Sequence, residues 1–317
     1  MVKSTLLQLK KSNPFSKLVF LFGPTGVGKT EFLLSLDSSK FSVINADSIQ
    51  VYKGLDIGSA KASLEIRNKI PHYLIDVEEP RNQFSVARFI ELADKACIEI
   101  ANEGRVPVLC GGTAYYFKHF LYGLSEAPAS DPAIRAEVER DTKEKGLAWA
   151  YEKLGKVDPV SYRRIHCQDT YRITRALEVY RACGKPLSSF APSNQARYQM
   201  KPLVIGLTRD TAELDNRIRV RVEQMFDEGL IEEVRTLLKS GAQATWPGLQ
   251  GIGYREFFEA RESGECSIET IKASIVRNSR LYAKRQMTFF KSFTSVTWIG
   301  PDLFPVFEKE LSLYLDT

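Results

Sequence analysis

Residues Gly23-Pro24-Thr25-Gly26-Val27-Gly28-Lys29-Thr30 fill every position of the phosphate-loop pattern G-x-x-x-x-G-K-[ST], directly after the apolar run Leu18-Val19-Phe20-Leu21-Phe22. A short apolar run ending in glycine reads as a buried strand, and Lys29 to about Asp37, with Phe32, Leu33, Leu34 and Leu36, reads as the helix behind it. Glycines at Gly23, Gly26 and Gly28 let the backbone fold back so that several N–H groups point into one hollow at the start of that helix. Such a hollow holds a di- or triphosphate. Lys29 would neutralise the terminal phosphates, and the Thr30 hydroxyl would sit in the shell of a Mg2+ ion. Whether the phosphate belongs to a nucleotide or to another pyrophosphate ester is open at this point.

A strand, a helix and a second strand in succession demand a parallel sheet. Phe41 to Asn45 supplies the second strand and ends at Ala46-Asp47-Ser48. Val106 to Cys110, followed by Gly111-Gly112-Thr113, supplies a third, Leu203 to Leu207 a fourth, and Val296 to Ile299 a last. Parallel strands share a carboxyl rim along which ligands bind. Asp47 is therefore expected to face the phosphate hollow, and the Gly-Gly turn to expose the Thr113 hydroxyl on the same rim.

From about Ser125 to Gln199 the texture becomes charged and helix-prone and loses strand alternation. Asp131-Pro132 reads as a helix start, and Gly184-Lys185-Pro186 stops the helix that contains Arg172 to Tyr180. Two more helices, Ala212 to Lys239 and about Ile268 to Phe290, follow the fourth strand. The expected fold class is α/β: a P-loop NTPase-like core with a parallel sheet flanked by helices, built from 1–124 and 200–317, plus an inserted all-helical subdomain, 125–199.

With 44% hydrophobic and 26% charged residues, the 317-residue chain has the composition of an ordinary globular protein. Its five cysteines form no C-x-x-C pair and its three histidines lie far apart, which argues against a zinc knuckle or a disulfide framework. No apolar signal core opens the chain and no stretch approaches a membrane span, so a cytoplasmic home is expected. The net charge of +5 is mild, but Lys272, Arg277, Arg280, Lys284, Arg285 and Lys291 follow one another without an acidic residue, interleaved with Tyr282, Phe289 and Phe290. A basic stripe carrying aromatics suits a polyanion with bases to stack on; the alternative is a solvated helix face over an aromatic core.

A phosphate loop does not by itself separate kinases, GTPases, motor ATPases and transferases. No N-K-x-D segment is present to read guanine, and Asp47 follows Ile44-Asn45-Ala46 rather than the usual four-residue apolar run of a Walker B strand. Asp47 could contact a metal, accept a proton from a bound nucleophile, or cap a turn.

The segment Asp47-Ser48-Ile49-Gln50-Val51-Tyr52-Lys53-Gly54-Leu55-Asp56-Ile57-Gly58-Ser59-Ala60-Lys61 resembles the signature of the tRNA dimethylallyltransferases, also called tRNA isopentenyltransferases. The likeness continues in order through Pro71 to Asp76, Phe84 to Ala87, Gly111-Gly112-Thr113 with Tyr116-Phe117-Lys118, Tyr171 to Tyr180, Gly184 to Ser188, Gly251 to Glu256 and Tyr282-Ala283-Lys284-Arg285-Gln286. It covers about residue 17 to 291. Departures are Ile49 where the family often has Arg, Ala114 where Gly is usual, Cys183 where Thr is usual, and Phe289 where Trp is common. No Cys/His zinc module follows the basic helix, so the chain is similar to the bacterial form.

The resemblance implies transfer of a dimethylallyl group from dimethylallyl diphosphate to the exocyclic amine of the adenine just 3′ of a tRNA anticodon. It implies Asp47 as acceptor of the amine proton, Thr113 as a threonine that meets the substrate, and Arg217 as a clamp on the departing pyrophosphate, which is cradled by Gly23, Pro24, Thr25, Gly26, Val27, Gly28, Lys29 and Thr30 with Mg2+ near Thr30. The target adenine would be flipped out of its loop. Asp47, Ser48, Ile49, Gln50 and Thr113 would read the target region, and Arg135 with Gln168, Asp169, Thr170, Tyr171 and Arg172 would contact neighbouring nucleotides. Lys284, Arg285 and Gln286 would belong to the grip on the tRNA anticodon arm. A monomeric, cytoplasmic enzyme without membrane contact is expected. Two rivals are a small-molecule kinase, which would consume ATP without RNA, and a non-catalytic RNA-binding module, which would bind tRNA regardless of dimethylallyl diphosphate.

Overall fold

A computed structural model describes residues 17–190, 195–304, 307, 311 and 313–315. The N-terminal residues read for a signal core lie outside them up to residue 16. The chain divides into two compact units at 121/122 and 196/197, against the 124/125 and 199/200 drawn from composition.

The larger unit is built on one sheet of six parallel strands: β1 (Val19–Phe22), β2 (Phe41–Asn45), β3 (His72–Tyr73), β4 (Val106–Gly111), β5 (Leu203–Leu207) and β6 (Thr297–Ile299), in the order β3-β2-β4-β1-β5-β6. The central strand pairs Val19 with Val108 on one side and with Leu203 on the other. A strand in that position needs apolar residues on both faces. Val19 and Leu21 join a core with Val27, Phe32, Leu33, Ile205 and Leu207. On the other face Phe20 and Phe22 meet Phe117 edge-on at 5.3 and 5.4 Å, and Phe22 stacks on Phe290 at 4.2 Å.

The helices are α1 (Lys29–Leu34), α2 (Leu64–Lys69), α3 (Val86–Asn102), α4 (Ala114–Tyr122), α5 (Pro132–Lys145), α6 (Leu147–Val157), α7 (Pro159–Arg164), α8 (Thr170–Cys183), α9 (Thr211–Asp227), α10 (Leu230–Lys239), α11 (Arg255–Ser263) and α12 (Ile268–Phe290). The continuous helix expected from Ala212 to Lys239 is two helices. Gly229 takes φ 102°, outside the helical region, and its left-handed turn separates α9 from α10. The strand β3, absent from the sequence reading, is two residues long and carries no periodicity to detect.

The smaller unit, 122–196, is helical among its described residues and packs Val138, Ala150, Leu154, Ile173, Ala176 and Leu177 into its own core. Asp131 caps α5 by accepting from the N–H groups of Ala133 and Ile134 at 2.8 and 3.3 Å, with Pro132 in the first turn. Gly184 ends α8 at φ 69°.

Candidate active site

The carboxyl ends of β1, β2, β4 and β5 meet at one rim, and backbone contacts fix how closely. Ala46 N–H donates to Cys110 carbonyl at 2.7 Å and Thr113 N–H to Ala46 carbonyl at 3.1 Å. A Cβ on Gly111 would lie 2.2 Å from the Ala46 oxygen, and one on Gly112 would lie 2.3 Å from Gln286 Nε2. Neither glycine has positive φ. The Gly-Gly pair is therefore present for close approach rather than for a tight turn, and it draws Asp47 in beside the end of β4.

In the phosphate loop, Gly26 and Gly28 take φ 79° and 109°, conformations open to glycine, whereas Gly23 is small because a Cβ there would sit 2.9 Å from the Leu207 carbonyl of β5. Lys29 Nζ donates to the carbonyls of Gly23 and Pro24, both at 3.0 Å. Burial pushes its ammonium down to about 8. Gln286 from α12 closes the loop's open side: its Oε1 accepts from Thr25 N–H at 3.0 Å and its Nε2 donates to the Gly112 carbonyl at 2.8 Å.

Three arginines attach to the same loop. Arg209 Nε donates to Val27 carbonyl at 2.9 Å, Arg217 Nε to Gly26 carbonyl at 2.8 Å, and Arg221 Nη1 to the Thr25 hydroxyl at 3.0 Å. Glu31 balances part of this charge by pairing with Arg217 at 2.5 Å and Arg209 at 3.5 Å. Burial lowers the Arg221 pKa, and the neighbouring Arg217 charge adds to the effect. Sequence reading reached only Arg217. The signal for Arg221 was its i, i+4 spacing from Arg217 on a helix whose buried residues include Ile218, Val222 and Met225; Arg219 falls off that face and is exposed.

A cavity of about 920 Å³ brings Lys29, Thr30, Asp47, Arg217, Arg221 and Tyr282 together in its lining. Asp47 Oδ1 accepts from the N–H groups of Ile49 at 2.9 Å and Gln50 at 3.4 Å, so the carboxylate that lines the cavity also caps its own turn. No hydrogen bond reaches its Oδ2 among the described residues. Thr113 does not line the cavity. Its Oγ1 accepts from Ser48 N–H at 3.0 Å, so it reaches the cavity through a residue that does line it. Burial, with the Asp47 charge added, pushes the Tyr282 phenol up to about 12, so it stays protonated.

The model of the IPP transferase family matches residues 50–293. The tRNA dimethylallyltransferase of Borrelia turicatae is 42% identical over 287 residues, 90% of this chain and 95% of that protein. The crystal structure of the tRNA isopentenylpyrophosphate transferase from Bacillus halodurans is similar at TM-score 0.68 and 35% identity, covering 95% of this chain and 97% of its own. A eukaryotic dimethylallyltransferase, solved acting on tRNA, is similar at TM-score 0.73 and 26% identity, covering 90% and 74%. The chain belongs to the IPP transferase family.

For an IPP transferase, the remaining expected residues fall into two groups. Ser48, Ile49, Gln50, Arg285 and Gln286 line the cavity in the larger unit, with Gln286 itself buried and its amide engaged by the protein backbone. Arg135, Gln168, Asp169, Thr170, Tyr171 and Arg172 belong to the smaller unit: Arg135 pairs with Glu139 at 2.8 Å, Asp169 caps α8 through Arg172 N–H at 3.1 Å, and Tyr171 is 68% exposed. The basic stripe is partly neutralised, since Lys272 pairs with Glu223 and Arg280 with Asp215 at 3.0 Å, whereas Lys284 and Arg285 have no ion pair among the described residues. Of the departures, Ile49 packs so closely on Gly251 that a Cβ there would meet it at 2.7 Å, and Phe289 lies under the Lys118 ammonium at 5.7 Å. Among the described residues no helix is long and apolar enough to cross a membrane.

Proposed function

We propose that this IPP transferase moves a dimethylallyl group from dimethylallyl diphosphate to N6 of the adenine 3′-adjacent to the anticodon of tRNA, giving N6-isopentenyladenosine. The observation that carries this reading is that Lys29 of the phosphate loop and the Asp47 carboxylate line one cavity.

The allylic C–O bond breaks with positive charge on carbon and negative charge on the leaving pyrophosphate. Lys29, Arg217 and Arg221 stand where that negative charge develops, and preorganised cations of this kind are worth about 2.7–4 kcal/mol each in barrier. The amine nitrogen forms the new C–N bond and gives up a proton, which Asp47 accepts; general-base help is worth about 10²–10⁴-fold. Thr113, by accepting from Ser48 N–H, steadies the backbone next to Asp47.

Mg2+ fits this site as a diphosphate-bound ion. Among the described residues no group of three or more His, Cys, Asp and Glu side chains could hold a metal alone, but Thr30 lines the cavity next to Lys29, and Mg2+ is commonly held by a hydroxyl or carboxylate together with phosphate oxygens and water. When bound, it would neutralise charge on the diphosphate.

The anticodon arm would lie against Lys284 and Arg285, with Asp47 to Gln50 at the target base and Arg135 and Gln168 to Arg172 on neighbouring nucleotides. On the same reading the enzyme is a monomer of the cytoplasm. Purified protein with Mg2+, unmodified tRNA and dimethylallyl diphosphate should yield prenylated adenosine by nucleoside mass spectrometry, and ATP in place of the donor should not. An inert mixture containing a competent tRNA would remove the assignment.

A further inference from the structure

Part of the cavity wall is the bare backbone of Gly58, Ser59 and Ala60, which lies in neither helix nor strand. A loop of this kind keeps its shape only if something outside it binds its polar groups. Internal bonds supply a little: Ala60 N–H donates to Ile57 carbonyl and Lys61 N–H to Asp56 carbonyl, both at 2.9 Å.

The larger contribution comes from Glu233 on α10. Its Oε2 accepts from the N–H groups of Asp56 and Ile57 at 3.0 and 2.8 Å, and its Oε1 accepts from Gly58 N–H at 3.1 Å and from the Tyr254 hydroxyl at 2.7 Å. An ionised carboxylate has about four acceptor positions, and all are used. Two glycines let the parts close up: a Cβ on Gly58 would lie 2.6 Å from the Tyr254 ring, and one on Gly253 would lie 2.4 Å from the Gly58 carbonyl.

The held loop in turn fixes a polar side chain of the cavity. The carbonyls of Ser59 and Ala60 both accept from Gln50 Nε2 at 3.2 Å. Both amide protons are thereby committed, which leaves Gln50 Oε1 as the atom with acceptor capacity on a side chain that lines the cavity. Gln50 also donates its backbone N–H to Asp47 Oδ1 at 3.4 Å, so the amide and the proton acceptor share one turn.

We propose that Glu233 is a positioning residue: by gathering the N–H groups of residues 56 to 58 and the Tyr254 hydroxyl, it aims two carbonyls that hold the Gln50 amide with its oxygen toward the incoming base, so that a purine bearing a 6-amino donor is preferred over one bearing a 6-oxo acceptor. The inference rests on the transferase reading above. Without the clamp the amide can turn over and present nitrogen, and the preference is lost.

The test uses the full-length protein, an anticodon stem–loop carrying adenosine at the target position as substrate, and the same stem–loop carrying inosine as competitive inhibitor. The wild-type protein should bind the inosine loop at least about tenfold more weakly than the adenosine loop, the size of effect expected when a polar site meets the wrong partner. Glu233→Gln should raise the KM for the adenosine loop about tenfold and bring the two loops close to equal binding, while the KM for dimethylallyl diphosphate stays near wild-type and the melting temperature falls by a few degrees, since the amide leaves donors of the loop unpaired. Tyr254→Phe, which keeps the ring against Gly58 and removes one of the four hydrogen bonds, should shift the ratio the same way by less. Equal rises in both KM values, or an unchanged adenosine-to-inosine ratio in Glu233→Gln, would overturn the proposal. Should that variant fail to fold, an unchanged ratio in Tyr254→Phe would overturn it instead. A wild-type protein that makes no product would overturn the transferase reading itself, and it is seen before any variant is made.

Discussion

The two sides of the cavity are built on different principles. On the phosphate-loop side, side-chain cations are gathered and held on the loop's own carbonyls and on Glu31. On the Asp47 side, one carboxylate is placed by backbone proximity: Gly111 against Ala46, and Gly58 against Tyr254 and Gly253. A cationic wall serves any polyphosphate and says little about the reaction. The carboxylate wall sets one carboxylate in a shaped surrounding, and in the proposed reaction it is the wall that selects the nucleophile.

The comparison predicts that losses on the carboxylate side act on the nucleophile and losses on the cationic side act on the leaving group. Asp47→Ala should lower kcat by about 10²–10⁴-fold with tRNA affinity little changed, measured by single-turnover kinetics beside a binding titration. A variant that instead releases tRNA while keeping its rate would reverse the roles of the two walls. Arg217→Ala should lower kcat by about 10²–10³-fold, and a donor with a better leaving group should recover part of the loss. No recovery would mean that Arg217 acts by holding Glu31 and the loop rather than the pyrophosphate.

Lys29 gives the cationic wall a pH signature. Its ammonium is already charged below about 8, so donor binding there needs no added proton; above about 8 the free protein has lost that proton and binding must take one up. The Kd of a non-reactive thio analogue of dimethylallyl diphosphate should therefore be flat up to about pH 8 and then rise by at most about tenfold per pH unit. Calorimetry from pH 7 to 9 that finds no rise would show that burial does not lower this lysine. The smallest expected effect belongs to residues with no ion pair to lose: Lys284→Ala with Arg285→Ala should weaken tRNA binding several-fold and reduce the slope of log affinity against log salt by about one to two units, leaving the chemical step intact.

Much of the fold was legible because the local signals were complete. The strand–loop–helix around Gly23 to Thr30, the buried strands β2, β4 and β5, and the helix from Ile268 to Phe290 each carry an apolar period or a capping residue that acts within a few positions. The break at Gly229 was written in the sequence too, as a glycine followed by Glu232 and Glu233 in the next first turn, but the helical pattern on both sides hid it. The site was legible in part. Lys29 and Asp47 follow from their motifs and from the shared rim of a parallel sheet. Arg209, Arg221 and the clamp of Glu233 on residues 56 to 58 do not, since the partners stand more than 170 positions apart in the chain. Thr113 shows the same limit from the other side: its motif was read correctly as part of the rim, yet its hydroxyl faces Ser48 rather than open space.

Sequence alone determined that this protein would form a phosphate-loop turn at the end of a parallel strand, because the loop's conformation depends on glycines and a lysine within eight consecutive residues. Only the tertiary structure decided which cations reach that loop and how the carboxylate is presented. Those outcomes depend on how near β2, β4, α9 and α12 come to one another, and the contacts that set the distance, a missing Cβ against a distant carbonyl, leave no periodic trace along the chain.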